Sequence, residues 1–212
     1  MQMGRVMGGV FTLCDWIWKM ALVNILWIIF TLAGLIVFGI FPATVALFTV
    51  IRKWILKETD IPITRVFFDS YKKEFLPANL VGLLIGAFGF FLYMDYRLVV
   101  TIGGTVQSVL SIPLLILAIW YIITTLYIFP VYVHFEIKFF QYFKYAFYIG
   151  TFNIHITILI VAALFLLSFP LAMFPGFIPF FSVSLMSLVM LCGAKVAFNR
   201  IEKKQEKLSA NI

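Results

Sequence analysis

Long apolar runs alternate along the chain with short, sided polar segments, and the runs set the elements. Met20 to Phe38 carries no charge, and the apolar character resumes from Ala43 to Ile51 until Arg52 and Lys53 stop it. Gly39-Ile-Phe-Pro42-Ala-Thr44 breaks the run between them. Pro42 lacks an N–H and disfavours helix at the residue before it, yet suits the first turn of a new helix, while Gly39 supplies a flexible stop for the old one. Two membrane helices joined by a tight turn are predicted, at about 19–38 and 42–56. The second is short: at 1.5 Å per residue it measures roughly 22 Å against a hydrocarbon core of ~30 Å. It either crosses with Arg52 and Lys53 snorkelling to the interface or forms a re-entrant half-helix.

The next segment is amphipathic. Ile63, Val66, Phe67, Tyr71 and Phe75 follow helical spacing, and Thr64, Arg65, Asp69, Lys72 and Lys73 take the other face, with Asp69 and Lys73 set to pair. Such a helix suits the headgroup layer or a place under the bundle. Further spans are predicted at about 79–94, 106–129, 154–169 and 180–197. Pro113 is expected to kink the fourth and Pro130 to end it. A second sided stretch follows, with His134, Lys138, Gln141 and Tyr145 as its polar stripe and Phe135, Phe139, Phe143 and Ala146 as its apolar one. The expected fold is therefore all-α: one polytopic transmembrane bundle over residues 1–212, with about six spans and two interfacial amphipathic helices.

Composition sharpens this reading. The chain is 64% hydrophobic and 12% charged, against about 45–50% and about 25% in soluble domains. Met1 to Lys19 lacks a short apolar core with a small-residue cleavage site, so no removed signal peptide is expected. Charge then orients the spans. With six, 15 of the 16 lysines and arginines lie on the side of the termini, and Arg97 alone lies opposite. The positive-inside rule makes that side cytoplasmic. With five spans the split falls to 13 against 3. The net charge of +7 thus reads as orientation and attraction to anionic lipid, with no nucleic-acid partner.

Candidate chemistry is sparse. All nine acidic residues fall in predicted loops or interface segments, which disfavours an ion-coupled transporter. No HExxH, GxSxG or Walker-type loop occurs. Neither Cys14 with Cys192 nor His134 with His155 makes a convincing metal site, so no enzyme activity, cofactor or metal is expected. Asn24, Thr31 and Thr44 are the candidate intramembrane polar contacts, either with a neutral solute or with a neighbouring helix. Phe68, Lys72, Lys73, Lys138 and Lys144 are the candidates for contact with a partner or with lipid. Gly82 and Gly86 form a GxxxG pair that suits close helix packing, within the chain or in a homo-oligomer.

Asn24-Ile-Leu-Trp27, Gly39-Ile-Phe-Pro42-Ala43-Thr44, Ala46-Leu47 and Arg52-Lys53, followed by Phe67-Phe68 and Lys72-Lys73-Glu-Phe75, resemble the YesL-like family of small bacterial membrane proteins. The motif-bearing part is roughly the first 80 residues. The resemblance implies a multi-pass protein of the bacterial cytoplasmic membrane, often encoded beside sugar-uptake and polysaccharide-use genes, with no established activity or site. Two functions are open: a non-enzymatic accessory to carbohydrate uptake or its regulation, contacting a sugar-importer permease or another membrane protein, or a small facilitator of a neutral solute or lipid. Reporter fusions at Met1 and Ile212 should both read cytoplasmic. An external reading at Met1 would demote 42–56 to a re-entrant segment.

Overall fold

A computed structural model describes the backbone of residues 2–209 and the side chains of residues 9 and 11–201. Helix α1 (Gln2–Ala33) stops short of the expected Phe38, and α2 (Ile40–Ile55) follows with Pro42 in its first turn. The early stop lies in the backbone. Leu35 and Ile36 adopt left-handed φ values of 56° and 65°, a conformation that costs ~1–3 kcal/mol for non-glycine residues. Hydrogen bonds hold the turn, from Ile36 N to the Thr31 carbonyl at 2.9 Å and from Ile40 N to the Ile36 carbonyl at 3.0 Å. Glycine makes the room: a Cβ at Gly39 would fall on the Thr31 carbonyl, and one at Gly34 would strike the Gly39 backbone and the Tyr71 hydroxyl.

Helix α2 is enclosed. Ala43, Ala46, Leu47, Val50 and Ile51 have no exposed surface, so apolar residues on most of its faces act as core. Helix α3 (Ile63–Lys73) covers part of it. The buried Phe67 ring lies 5.3 Å from the Phe30 ring, Tyr71 lies 4.9 Å from it, and the Tyr71 hydroxyl donates to the Phe30 carbonyl at 3.1 Å. Burial pushes the Tyr71 phenol above its ordinary pKa. At the other end of α2, Lys19 Nζ donates to the Thr59 carbonyl at 3.3 Å, and Trp16 meets Trp54 edge to face at 5.7 Å. From Lys19 to Phe30, α1 rises about 16 Å. The chain therefore leaves α2 at the level of Lys19, and α3 carries it back to the end of α1. Helix α3 thus packs on the α1–α2 pair through Phe67 and Tyr71. The expected Asp69–Lys73 pair does not form; Asp69 faces Arg65 at 3.9 Å, and Lys73 faces Glu74 at 3.7 Å.

The remaining helices are α4 (Phe75–Ile102), α5 (Gly104–His134), α6 (Phe139–Phe152), α7 (Ile154–Met173) and α8 (Ile178–Ser209), with a 3-10 turn at Pro175–Phe177 before the last. They run past the boundaries read from sequence. Helix α5 continues through Pro130, which was expected to end it; proline is tolerated in membrane helices where neighbours re-satisfy the freed carbonyl. His134 is consequently the last residue of α5, and the expected stripe from His134 to Tyr145 is split between two helices. Helix α6 folds back along α5 through buried Ala146, Ile149 and Gly150; a Cβ at Gly150 would strike Ile123 and Tyr127.

Chain contacts define two compact units, Met1–Phe75 with Ala162–Val189 and Leu76–Val161 with Met190–Ile212. Among the described residues there is no strand, and five helical stretches are long and apolar enough to cross a membrane: Phe11–Ala33, Phe75–Ile102, Gly104–His134, Ile154–Met173 and Pro175–Ile201. With the shorter α2, about six apolar segments make an all-helical membrane protein.

Replacing both Gly39 and Pro42 by Leu should disrupt assembly. The new side chain at Gly39 meets the Thr31 carbonyl, and a continuous helix would draw Arg52 and Lys53 toward hydrocarbon at ~2.5–3.5 kcal/mol per centred charge. Monodisperse yield in mild detergent should fall severely; wild-type yield with unchanged topology would show that the turn is dispensable.

Candidate functional site

In the first unit the polar residues of α1 meet two other helices. Asn24 has no exposed surface. Its Nδ2 donates to the Pro179 carbonyl at 2.8 Å, and its Oδ1 accepts from Val183 N at 3.0 Å and Ser184 N at 2.9 Å. Along an unbroken helix the Val183 N–H would point to the Pro179 carbonyl. The carboxamide bridges that same donor and acceptor, acting as a peptide-like unit in the first turns of α8. One helical turn further along α1, Trp27 Nε1 donates to Thr44 Oγ1 at 3.0 Å, and Thr44 in turn donates to the Ile40 carbonyl at 2.6 Å. Thr31 lies on the same face, but its hydroxyl is buried without a hydrogen-bond partner among the described residues. Asn24 and Thr44 are thus brought into helix–helix bonds, and Thr31 into neither.

On α3 the outward face is charged. Phe68, Arg65, Asp69, Lys72 and Lys73 are exposed, with Phe68 at 49%. Phe68 also touches Phe30 at 6.0 Å between ring centres, so its base is anchored while its edge stays open. In the second unit Lys138 and Lys144 are exposed, Lys144 Nζ standing 5.9 Å from the centre of the Tyr148 ring. Of the two glycines, Gly82 is buried, whereas nothing lies within 4 Å of a Cβ built at Gly86. Gly89 makes the close approach instead: its missing side chain admits the Tyr121 hydroxyl, which donates to the Ile85 carbonyl at 3.2 Å.

Two features escaped sequence reasoning. One is a buried polar knot in the second unit. The Tyr127 and Thr157 hydroxyls lie 3.1 Å apart, Thr157 donates to the Gly150 carbonyl at 2.9 Å, and Asn153 Nδ2 donates to the Ile149 carbonyl at 3.0 Å. The other is a repeat. Phe67-Phe68-Asp-Ser-Tyr71-Lys72, with Phe75 beyond, recurs 72 residues later as Phe139-Phe140-Gln-Tyr-Phe143-Lys144, with Phe147 beyond. Each copy sits on a short helix packed back on the long or enclosed helix before it, and each exposes a phenylalanine and a lysine one turn apart. A self-comparison of the chain at that offset carries the signal. The histidines are engaged separately: His134 packs on the Phe198 ring at 4.6 Å, and His155 Nε2 contacts Arg200 Nη1. Among the described residues no group of three His, Cys, Asp or Glu could hold a metal.

A family model described as "Protein of unknown function, DUF624" matches residues 20–96. The chain is 35% identical over 205 residues to the uncharacterized protein YesL of Bacillus subtilis (strain 168), covering 97% of each chain. It is 38% identical over 181 residues to YteU of the same organism, covering 85% of this chain and 81% of that one. With YesV the identity is 32% over 194 residues, covering 92% and 93%. The chain belongs to the YesL-like, DUF624 family. No solved structure matches it. The matched region holds α2, α3, the carboxyl-terminal part of α1 and most of α4, and so contains Asn24, Thr44 and the charged face of α3.

Asn24 and Thr31 should respond oppositely to loss of their polar atoms. Asn24→Leu leaves the Pro179 carbonyl and two N–H groups without their side-chain partner and should lower stability by about 1–2 kcal/mol. Thr31→Val removes a hydroxyl without a hydrogen-bond partner among the described residues and should be neutral or slightly stabilising. Thermal unfolding of both variants in one detergent measures the contrast; an Asn24→Leu protein as stable as wild type would remove the bridging role.

Proposed function

We propose that this member of the YesL-like family is a non-enzymatic accessory protein of the bacterial cytoplasmic membrane, docking through α3 onto another membrane protein such as a sugar-importer permease. Both termini are taken as cytoplasmic. The observation that carries the reading is the return of α3 beside α1, held by Tyr71 on the Phe30 carbonyl at 3.1 Å. That packing sets Arg65, Asp69, Lys72 and Lys73 alongside helices built to cross a bilayer. Charges at membrane depth face water, a bundle interior or another protein, because acyl chains do not solvate them. A partner chain that seals this face and answers its three cations against one acid satisfies the constraint. The tie to carbohydrate uptake rests on the family resemblance alone. The engagement of Asn24 and Thr44 in interhelical bonds supports an accessory role over a solute path built on those residues.

Reversing Lys72 and Lys73 to Glu should release the partner while the chain remains inserted. Photo-crosslinking from Phe68 in native membranes, on cells grown on different polysaccharides, should give discrete adducts in wild type that vanish in the double variant. Crosslinks only to lipid, unchanged by charge reversal, would overturn the docking reading.

A further inference from the structure

Helices α4, α5 and α6 enclose an apolar groove of about 440 Å³ in the second unit, floored by Ile85 and Phe88 and walled by Trp120, Tyr121, Phe143 and Phe147. That volume falls within the ~300–1,000 Å³ of small-molecule sites. Two of its polar side chains bond backbone: the Tyr121 hydroxyl donates to the Ile85 carbonyl, and Thr124 donates to the Trp120 carbonyl at 2.8 Å. The walls are fixed by ring contacts, Phe88 on Tyr121 at 5.9 Å and Trp120 on Phe147 at 5.5 Å. Lys144 is exposed on the same α6 face, one turn from Phe147, and is held over the Tyr148 ring.

We infer that this groove binds one anionic phospholipid, an acyl chain between α4 and α5 and its phosphate on Lys144. The medium around α4 and α5 is lipid, so an acyl chain is the apolar species at hand. Tails are as apolar as the groove, and apolar burial alone therefore does not select an occupant in a membrane. The selection comes from charge complementarity: an aromatic slot with a single cation beside it matches a tail joined to an anionic head. The inference concerns the second unit and stands apart from docking through α3.

Trp120 reports on the slot directly. A variant with Trp16, Trp18, Trp27 and Trp54 replaced by Phe is reconstituted into phosphatidylcholine vesicles containing either brominated phosphatidylglycerol or brominated phosphatidylcholine at equal mole fraction. Quenching should be stronger with the anionic lipid, by a local enrichment of about five-fold, and Lys144→Gln should abolish the difference. Native mass spectrometry of the wild-type chain and of Lys144→Gln provides a second readout independent of the tryptophan replacements, with one phosphatidylglycerol retained by wild type only. Equal quenching and retention for the two lipids would overturn the inference. So would protection of Trp120 from both lipids as protein density rises, which would assign the groove to a second copy of the chain.

Discussion

A buried amide in hydrocarbon has no water to fall back on, and the first unit is built around that constraint at Asn24. An unpaired amide costs several kcal/mol in such a medium, so Asn24 must find partners in the fold. Its two amide atoms reach three backbone groups of α8, joining residue 24 to residues 179–184. A side chain inserted at the start of a helix ladder also fixes rotation, because only one face of α8 presents the Pro179 carbonyl beside the Val183 and Ser184 N–H groups. The small buried residues Ser184 and Ser187 then allow close packing on that face. Asn24, Trp27 and Thr31 occupy one stripe of α1, and the first two each supply a bond that sets a neighbouring helix.

The turn at 34–39 follows from the same stripe. Because Thr31 and Phe30 supply the carbonyls that close it, α1 ends where those acceptors are needed, three residues after Phe30. Two left-handed residues are the cost, and Gly34 and Gly39 remove the side chains that would prevent it. The tight reversal lays α2 directly on α1, which buries α2 and leaves its carboxyl end at the level of Lys19. The chain must then return, and the aromatic stripe of α3 finds Phe30. The exposed charged face is thus a consequence of the reversal: once Phe67 and Tyr71 are turned inward, helical geometry sends Arg65, Asp69 and Lys72 outward.

Much of this was legible in the sequence. A break ahead of Pro42, the sidedness of α3 and the short α2 follow from proline chemistry, periodicity and length, though the turn itself lies earlier, at 34–39. What escaped depends on tertiary partners. Leu35 and Ile36 look like continuing helix, and only the turn's hydrogen bonds, with the room left by Gly34 and Gly39, hold them left-handed. Pro130 looks like a terminator because the rule assumes water at the freed carbonyl, whereas in apolar surroundings an unbroken helix satisfies more of the backbone. Tyr127, Asn153 and Thr157 lie in different helices or at their junctions, and nothing local distinguishes them from polar residues such as Ser111 that bond back within their own helix. For the candidate sites, sequence singled out the lysines of α3 and α6 but missed Phe140, which is 76% exposed beside Lys144.

The repeated Phe-Phe-x-x-aromatic-Lys pattern shows how one element acquires two chemistries. In both copies the lysine and a phenylalanine one turn before it face outward, and other aromatics turn toward the bundle. The copies differ at the remaining outward positions. Helix α3 adds Arg65, Asp69 and Lys73, so its face carries four formal charges; α6 adds Tyr145 and Tyr148 and keeps one. A single lysine flanked by tyrosines is compatible with a lipid boundary, since its stem lies on apolar surface while its head reaches phosphate. From one pattern, α6 thus presents a single cation flanked by tyrosines, and α3 presents a face of four charges.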